Sequence, residues 1–309
     1  MAFTTFRGMK PVQQLLFSAF IIITCFLVVM LLSVLIALPV FNMESLLSIP
    51  TMNDLADPGN VRILKYFQVA QSIGLFIIPP LIIAWLLSGH ISGFLSLDRT
   101  PDVSSIFLVI LLTLIISPSI NFLGEINSKM SFPVWLSGLE DWMKNAEDNA
   151  KKLTEAFLKA DTTGILLFNL FMIAFLPAIG EELLFRGVIQ KIFASWTKSG
   201  HWGIWISAFL FSSLHLQFYG FLPRLILGVL FGYLLLWSGS LWLPVVAHFI
   251  NNSAAVIAWF LIDRKLLTPE IEDFGATPDS FYMALISFAL GILILWLIRR
   301  QERRDPVMP

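Results

Sequence analysis

Three short stretches of this chain hold residues able to do proton chemistry, each set in an otherwise apolar run. The first contains Glu181, Glu182 and Arg186. Residues four apart share a helix face, so Glu182 and Arg186 can pair. Glu181 is turned about 100° from Glu182 and is not neutralised by the same arginine. That pattern reads either as a structural ion pair beside a working carboxylate or as an interfacial cluster whose side chains reach the headgroups. Pro177 and Gly180, just upstream, would loosen the helix ladder and let water or a substrate approach. The second stretch runs from Phe211 to His215, where the histidine is a proton carrier or a core residue bonded to a backbone carbonyl. The third pairs His248 with Asn252, again four apart, which interhelical hydrogen bonding alone would explain. Taken together, a carboxylate, two histidines and an asparagine supply a base, proton carriers and oxyanion donors.

The elements that must position them are set by composition. The chain has 309 residues, of which 57% are apolar and 13% charged, with a mean hydropathy of +0.81. Soluble domains carry about 25% charged residues, so these few charges could not cover a water-facing surface. Twenty basic residues against 21 acidic ones leave a net charge of −1, with no basic surplus for phosphates, so nucleic acid is excluded as a partner. The single cysteine, Cys25, lies in an apolar run and can form neither an internal disulfide nor a cysteine metal cluster. These features describe an all-α, polytopic membrane helix bundle.

A spanning helix needs about 20 mostly apolar residues. On that rule about eight spans are expected, at roughly 15–40, 64–89, 104–123, 164–190, 203–220, 221–238, 241–262 and 280–298. Arg7 and Lys10 precede the first, and Arg299, Arg300, Arg303 and Arg304 follow the last, so both termini are expected in the cytoplasm. The acid-rich segments around Glu44, Asp54 and Asp57 and around Glu270, Glu272 and Asp273 then fall outside. Gly228 and Gly232 form a GxxxG pair suited to close helix packing.

The 124–162 connection repeats Leu136, Leu139, Met143, Ala146, Ala150, Leu153 and Phe157 at helical spacing, with charged residues on the other face. This is an amphipathic helix on the outer side, a connector or a lid over the bundle. No soluble segment is large enough to hold a core of its own, so residues 1–309 are expected to form one membrane domain.

The three motifs, Glu181-Glu182-x-x-x-Arg186, Phe211-x-x-x-His215 and His248-x-x-x-Asn252, stand in this order on successive apolar helices, with Phe185 and Gly187 flanking the arginine. In that combination the chain resembles the CPBP family of CAAX-processing and bacteriocin-processing intramembrane endopeptidases, which includes the type II CAAX prenyl endopeptidases. The resemblance covers roughly residues 164–260, the expected catalytic core. It implies a helical bundle with a conical cavity open to the cytosol, in which a peptide bond of a membrane-associated protein or peptide is hydrolysed. Glu181 would activate water with help from His215, His248 and Asn252 would bind the oxyanion, and Glu182 and Arg186 would brace the site.

Two matters stay open at this stage. Glu181, His215 and His248 could form a zinc site with an open position for water. A metal-free route instead uses each residue once, with Asn252 as an oxyanion donor. A non-catalytic immunity or scaffold protein could use the same polar core to bind a peptide, and a proton-coupled transporter could use buried Glu and His as a relay. The sequence shows no inverted repeat of the kind transporters carry. The cell membrane of a bacterium is the expected location, with the lipid bilayer itself as a partner.

Overall fold

The computed structural model describes residues 6–41, 46 and 55–302, and every regular element among them is helical. Helix α1 (Pro11–Ala37) is followed by α2 (Pro58–Ser88), whose ladder widens into a π turn at Ile73–Ile77. The cause lies just ahead. Pro79 and Pro80 have no N–H to offer the carbonyls of Leu75 and Phe76, so the hydrogen-bond register must shift. Helices α3 (Val103–Ile115) and α4 (Ser117–Ser128) meet at a bend of 42° and are together long and apolar enough for one span, with Pro118 in the first turn after the bend. The amphipathic segment folds as α5 (Ser137–Leu158). Then come α6 (Thr163–Thr197), α7 (Gly200–Ser213), α8 (Phe221–Ser238), α9 (Trp242–Asp263) and α10 (Phe281–Gln301).

Six of these helices are long and apolar enough to cross a bilayer, and the bent α3–α4 pair makes a seventh. The eighth segment expected, 203–220, is the short one. Helix α7 has 14 residues, a rise of about 21 Å, against about 30 Å of hydrocarbon. The amphipathic connector is also narrower than the 124–162 range, because residues up to Ser128 continue α4. Glu44, Asp54, Arg303 and Arg304, used above to orient the chain, lie outside the described residues.

Helices α6 to α9 pack on one another at the centre. Helix α1 lies outside α2 and the end of α6, while α3, α4 and α10 cover α8 and α9 on the other flank. The outer helices turn apolar side chains away from the protein: Leu16, Phe20 and Leu31 on α1 and Leu285 and Phe288 on α10 are all more than half exposed. A surface of that kind suits lipid, not water.

Close approach at the centre depends on glycine. A Cβ on Gly203 would stand 2.7 Å from the Gln190 carbonyl oxygen and 2.8 Å from Ala194, so α6 and α7 can form a tight hairpin only with hydrogen there. On Gly180 it would stand 2.7 Å from Phe76 Cβ, at the π turn of α2.

Both described chain ends sit at one end of the bundle. The Arg7 guanidinium lies against Gly89, and Glu302 Oε1 accepts from the Asp102 amide at 2.9 Å. Lys191 bonds Ser96 Oγ at 2.8 Å and the Phe94 carbonyl, and Trp242 Nε1 donates to Leu97 O at 3.0 Å. The opposite end carries α5, tied down where the Tyr219 amide donates to Glu147 at 3.1 Å.

Packing at glycine gives the first prediction. Gly203→Ala should cost on the order of 1–3 kcal/mol through overpacking. Gly124→Ala, with nothing within 4 Å of the added carbon, should stabilise by about 0.5–1 kcal/mol through helix propensity. Thermal unfolding in detergent micelles checks both signs, and equal effects would show that the α6–α7 contact is not tight.

Candidate active site

Helix α6 has two faults in its ladder, a π segment at Leu170–Phe175 ahead of the first motif and another at Phe185–Ile189 that takes in Arg186. Pro177 follows the first of them. It cannot donate to the carbonyl of Ile173, four residues back, and that carbonyl accepts instead from Asn252 Nδ2 on α9 at 3.2 Å. The break made by one motif's proline thus anchors the last residue of another. The second fault has a similar use, with Ser207 Oγ of α7 donating to Phe185 O at 3.0 Å.

Below the break the helix buries Glu182 and Arg186 almost completely, at 0% and 1% exposed. Arg186 Nη1 donates to Glu182 Oε1 at 2.9 Å, as their spacing predicts, and Nη2 donates to the Gly228 carbonyl at 3.0 Å. The guanidinium lies over the rings of Phe211 and Phe231, 4.7 and 5.4 Å from their centroids. One turn further, Gln190 Nε2 donates to the Gly232 carbonyl at 3.2 Å. The GxxxG pair on α8 therefore does more than let helices touch. Without side chains, its two carbonyls are open to the polar ladder of α6.

Glu182 Oε1 accepts a second bond, from His248 Nδ1 at 2.9 Å. A carboxylate there can only accept, so Nδ1 carries the proton. The ring stacks on Phe231 at 5.2 Å, and its Nε2 stands 3.7 Å from Glu181 Oε2. His215 is fixed in a related way, Nδ1 lying 2.7 Å from the Phe211 carbonyl, which leaves Nε2 for other partners. Of the two adjacent carboxylates, Glu182 is thus committed to Arg186 and His248, whereas Glu181 has no arginine or lysine within 4.0 Å among the described residues.

Glu181, His215, His248 and Asn252 line one cavity of about 670 Å³. Glu182 and Arg186 are absent from its lining and sit behind it. The wall also includes Ala150, Leu153, Thr154 and Phe157 of α5, so the amphipathic helix lies across the cavity. Gln68 and Gln71 on α2 and Gln217 and Arg224 near the start of α8 line it too, and the reading of motifs missed all four. For Arg224 the signal was present, since an ionisable residue inside an expected span needs a reason. For the glutamines no spacing pattern marked them within an apolar run.

One expectation needs adjustment. The cavity lies at the α5 end of the bundle, opposite both described chain ends. Cytoplasmic termini and a cavity open to the cytosol therefore cannot both hold. As for zinc, no three His, Cys, Asp or Glu side chains among the described residues stand as a group able to hold an ion. Glu181, His215 and His248 share a cavity but do not form such a cluster.

Known proteins match one part of the chain. An uncharacterised protein of Bacillus subtilis (strain 168), YpbD, is 31% identical over 89 residues, which cover 28% of this chain and 42% of that relative. The chain thus spans less than half the length of the curated relative it matches. No solved structure matches. The family model described as type II CAAX prenyl endopeptidase Rce1-like matches residues 163–254. That stretch, running from the start of α6 into α9 and holding all three motifs, carries the Rce1-like family signature, in agreement with the CPBP resemblance.

Proposed function

We propose that this integral membrane protein is an intramembrane endopeptidase that hydrolyses a peptide bond in a membrane-associated protein or peptide. The observation that carries the reading is the unequal use of two adjacent glutamates, Glu182 buried behind the cavity wall with Oε1 held by Arg186 and His248, and Glu181 open to a cavity it shares with His215, His248 and Asn252. A bilayer interior has no water of its own, so hydrolysis there requires a polar cavity of this kind.

On this reading a water molecule beside Glu181 attacks the scissile carbonyl carbon while its proton passes to the Glu181 carboxylate, His215 assisting through Nε2. Negative charge moves to the carbonyl oxygen, where the remaining N–H of Asn252 donates to it and His248, carrying a proton on Nε2 as well as on Nδ1, donates through Nε2. The proton held by Glu181 then passes to the leaving nitrogen as the C–N bond breaks. Glu182 and Arg186 take no part in bond making; they hold His248 at its angle. No step passes through a metal ion.

Both termini face the cytoplasm of a bacterial cell membrane on this reading, following Arg7, Lys10, Arg299 and Arg300. Because the cavity lies at the other end, the peptide is drawn from the extracytoplasmic side. Residues 1–309 act as one membrane domain, with 164–260 as the catalytic core and α5 as an outer element across its mouth.

Glu181→Gln should abolish cleavage and leave thermal unfolding nearly unchanged, since size and hydrogen bonding persist. Glu182→Gln should lower the unfolding temperature sharply, because a buried ion pair broken on one side costs about 3–5 kcal/mol. Normal cleavage of a membrane peptide pool by Glu181→Gln protein would refute the assignment.

Exhaustive chelation should leave cleavage intact. Activity lost with a stoichiometric metal and regained on its return would overturn the metal-free route. In a Cys25→Ser background, Asn149→Cys on the exposed face of α5 should react with an impermeant maleimide from outside intact cells. Labelling only after the cytoplasm is opened would reverse the orientation.

A further inference from the structure

One cation on the cavity wall is left over from the chemistry above. Arg224 stands in the first turn of α8, directly after Pro223, and both line the cavity. Gln217 holds its guanidinium: Nη1 donates to the Gln217 carbonyl at 3.3 Å and Nη2 to the side-chain Oε1 at 2.7 Å. The group packs over Gly220, where a Cβ would come within 3.2 Å of Nη2. The chain reaches this corner through Leu216, whose φ of 54° lies in the left-handed region that residues other than glycine seldom occupy. The turn that delivers His215 to the cavity is therefore the same turn that delivers Gln217 to Arg224.

Among the described residues no carboxylate lies within 4.0 Å of Arg224. Glu147, on the helix lying across the cavity, accepts from the Tyr219 amide. The location is unfavourable for a cation on its own account. The first turn of a helix is the positive end of its dipole, where anions are preferred and cations are not. Partial burial among apolar helices adds a desolvation cost that neutral amide partners offset only in part. A guanidinium fixed by neutral acceptors, with two of its five N–H donors used, is built to receive a planar anion through the others.

We propose that Arg224, steadied by Gln217 and Gly220, is a specificity residue that binds a carboxylate of the substrate peptide, either its free C-terminus or an Asp or Glu side chain, within the cavity that holds Glu181. The proposal rests on the endopeptidase reading for its substrate, and its test separates the two.

Three quenched apolar peptide libraries serve as probes: one with a free carboxylate terminus and no acidic side chain, one amidated and neutral, and one amidated with a single glutamate. Cleavage at sub-saturating peptide is measured with the wild type, Arg224→Gln and Arg224→Lys. Binding of the same libraries is measured by fluorescence anisotropy on Glu181→Gln protein with and without Arg224→Gln. The wild type should favour one acidic library over the neutral one by about 10- to 100-fold, the range of a charge-assisted hydrogen bond. Arg224→Gln should erase the preference and Arg224→Lys keep part of it, with the change in KM and little in kcat. Preference for the first library identifies the chain terminus as the ligand, and preference for the third identifies a side chain. Arg224→Lys keeps the test decisive should Arg224→Gln fail to fold. Equal cleavage of all three libraries, or a preference that survives Arg224→Gln, overturns the proposal. If no library is cleaved but acidic peptides still bind the Glu181→Gln protein in an Arg224-dependent way, the carboxylate site stands and the peptidase reading falls. Neither cleavage nor selective binding overturns both.

Discussion

The centre of this bundle depends on a single carboxylate oxygen. Glu182 Oε1 accepts from Arg186 and from His248 at 2.9 Å each, deep among apolar helices. Removing two charges from water is expensive, and their attraction compensates only when the geometry is good and the remaining donors are satisfied. Here Arg186 spends a further donor on the Gly228 carbonyl and lies between two aromatic rings. The arrangement joins α6, α8 and α9 through polar contacts that each require the others. Glu182 is buried behind the cavity wall while its neighbour Glu181 lines it, which sets the two apart without any difference in residue type.

Proline-made faults are the second organising device. Prolines in α2 and α6 remove donors from spans that have no water to replace them; a widened turn accompanies each, and the Ile173 carbonyl freed by Pro177 takes a cross-helix bond. The bond from Asn252 to Ile173 O shows the economy of this. A backbone acceptor that would be a liability in lipid instead orients an amide on the cavity wall. Glycine supplies the complementary device, since Gly180 lets the fault in α2 seat against the regular stretch of α6 between its two faults.

Much of this was readable in the residues. The Glu182–Arg186 pair follows from four-residue spacing, and the separate facing of Glu181 from one residue of helical rotation. The sharing of Glu182 between Arg186 and His248 was not readable, because it joins residues 66 apart whose relative depth in the membrane no local pattern encodes. The length of the helix over 203–220 was over-read for a related reason. An apolar run of adequate length says nothing about where its helix stops, and here Leu216 turns the chain early. Gln68, Gln71 and Arg224 carried no motif, and only the packing of α2 and α8 around the cavity gives them a place in it.

The shortness of α7 has a further consequence. Its rise falls about 9 Å short of the hydrocarbon thickness, so with its other end at the headgroups the chain from Leu214 to Gly220 would lie at a depth where lipid cannot satisfy it. The protein meets that need itself: Asn127 bridges Phe218 O and the Leu222 amide, and Glu147 takes the Tyr219 amide. The sill of the cavity is therefore a sunken one, held below the headgroups by partners from α4 and α5. Bilayer thickness then becomes a variable of access to the cavity. A thin membrane brings its headgroups down to the sill, while a thick one deepens the well above it.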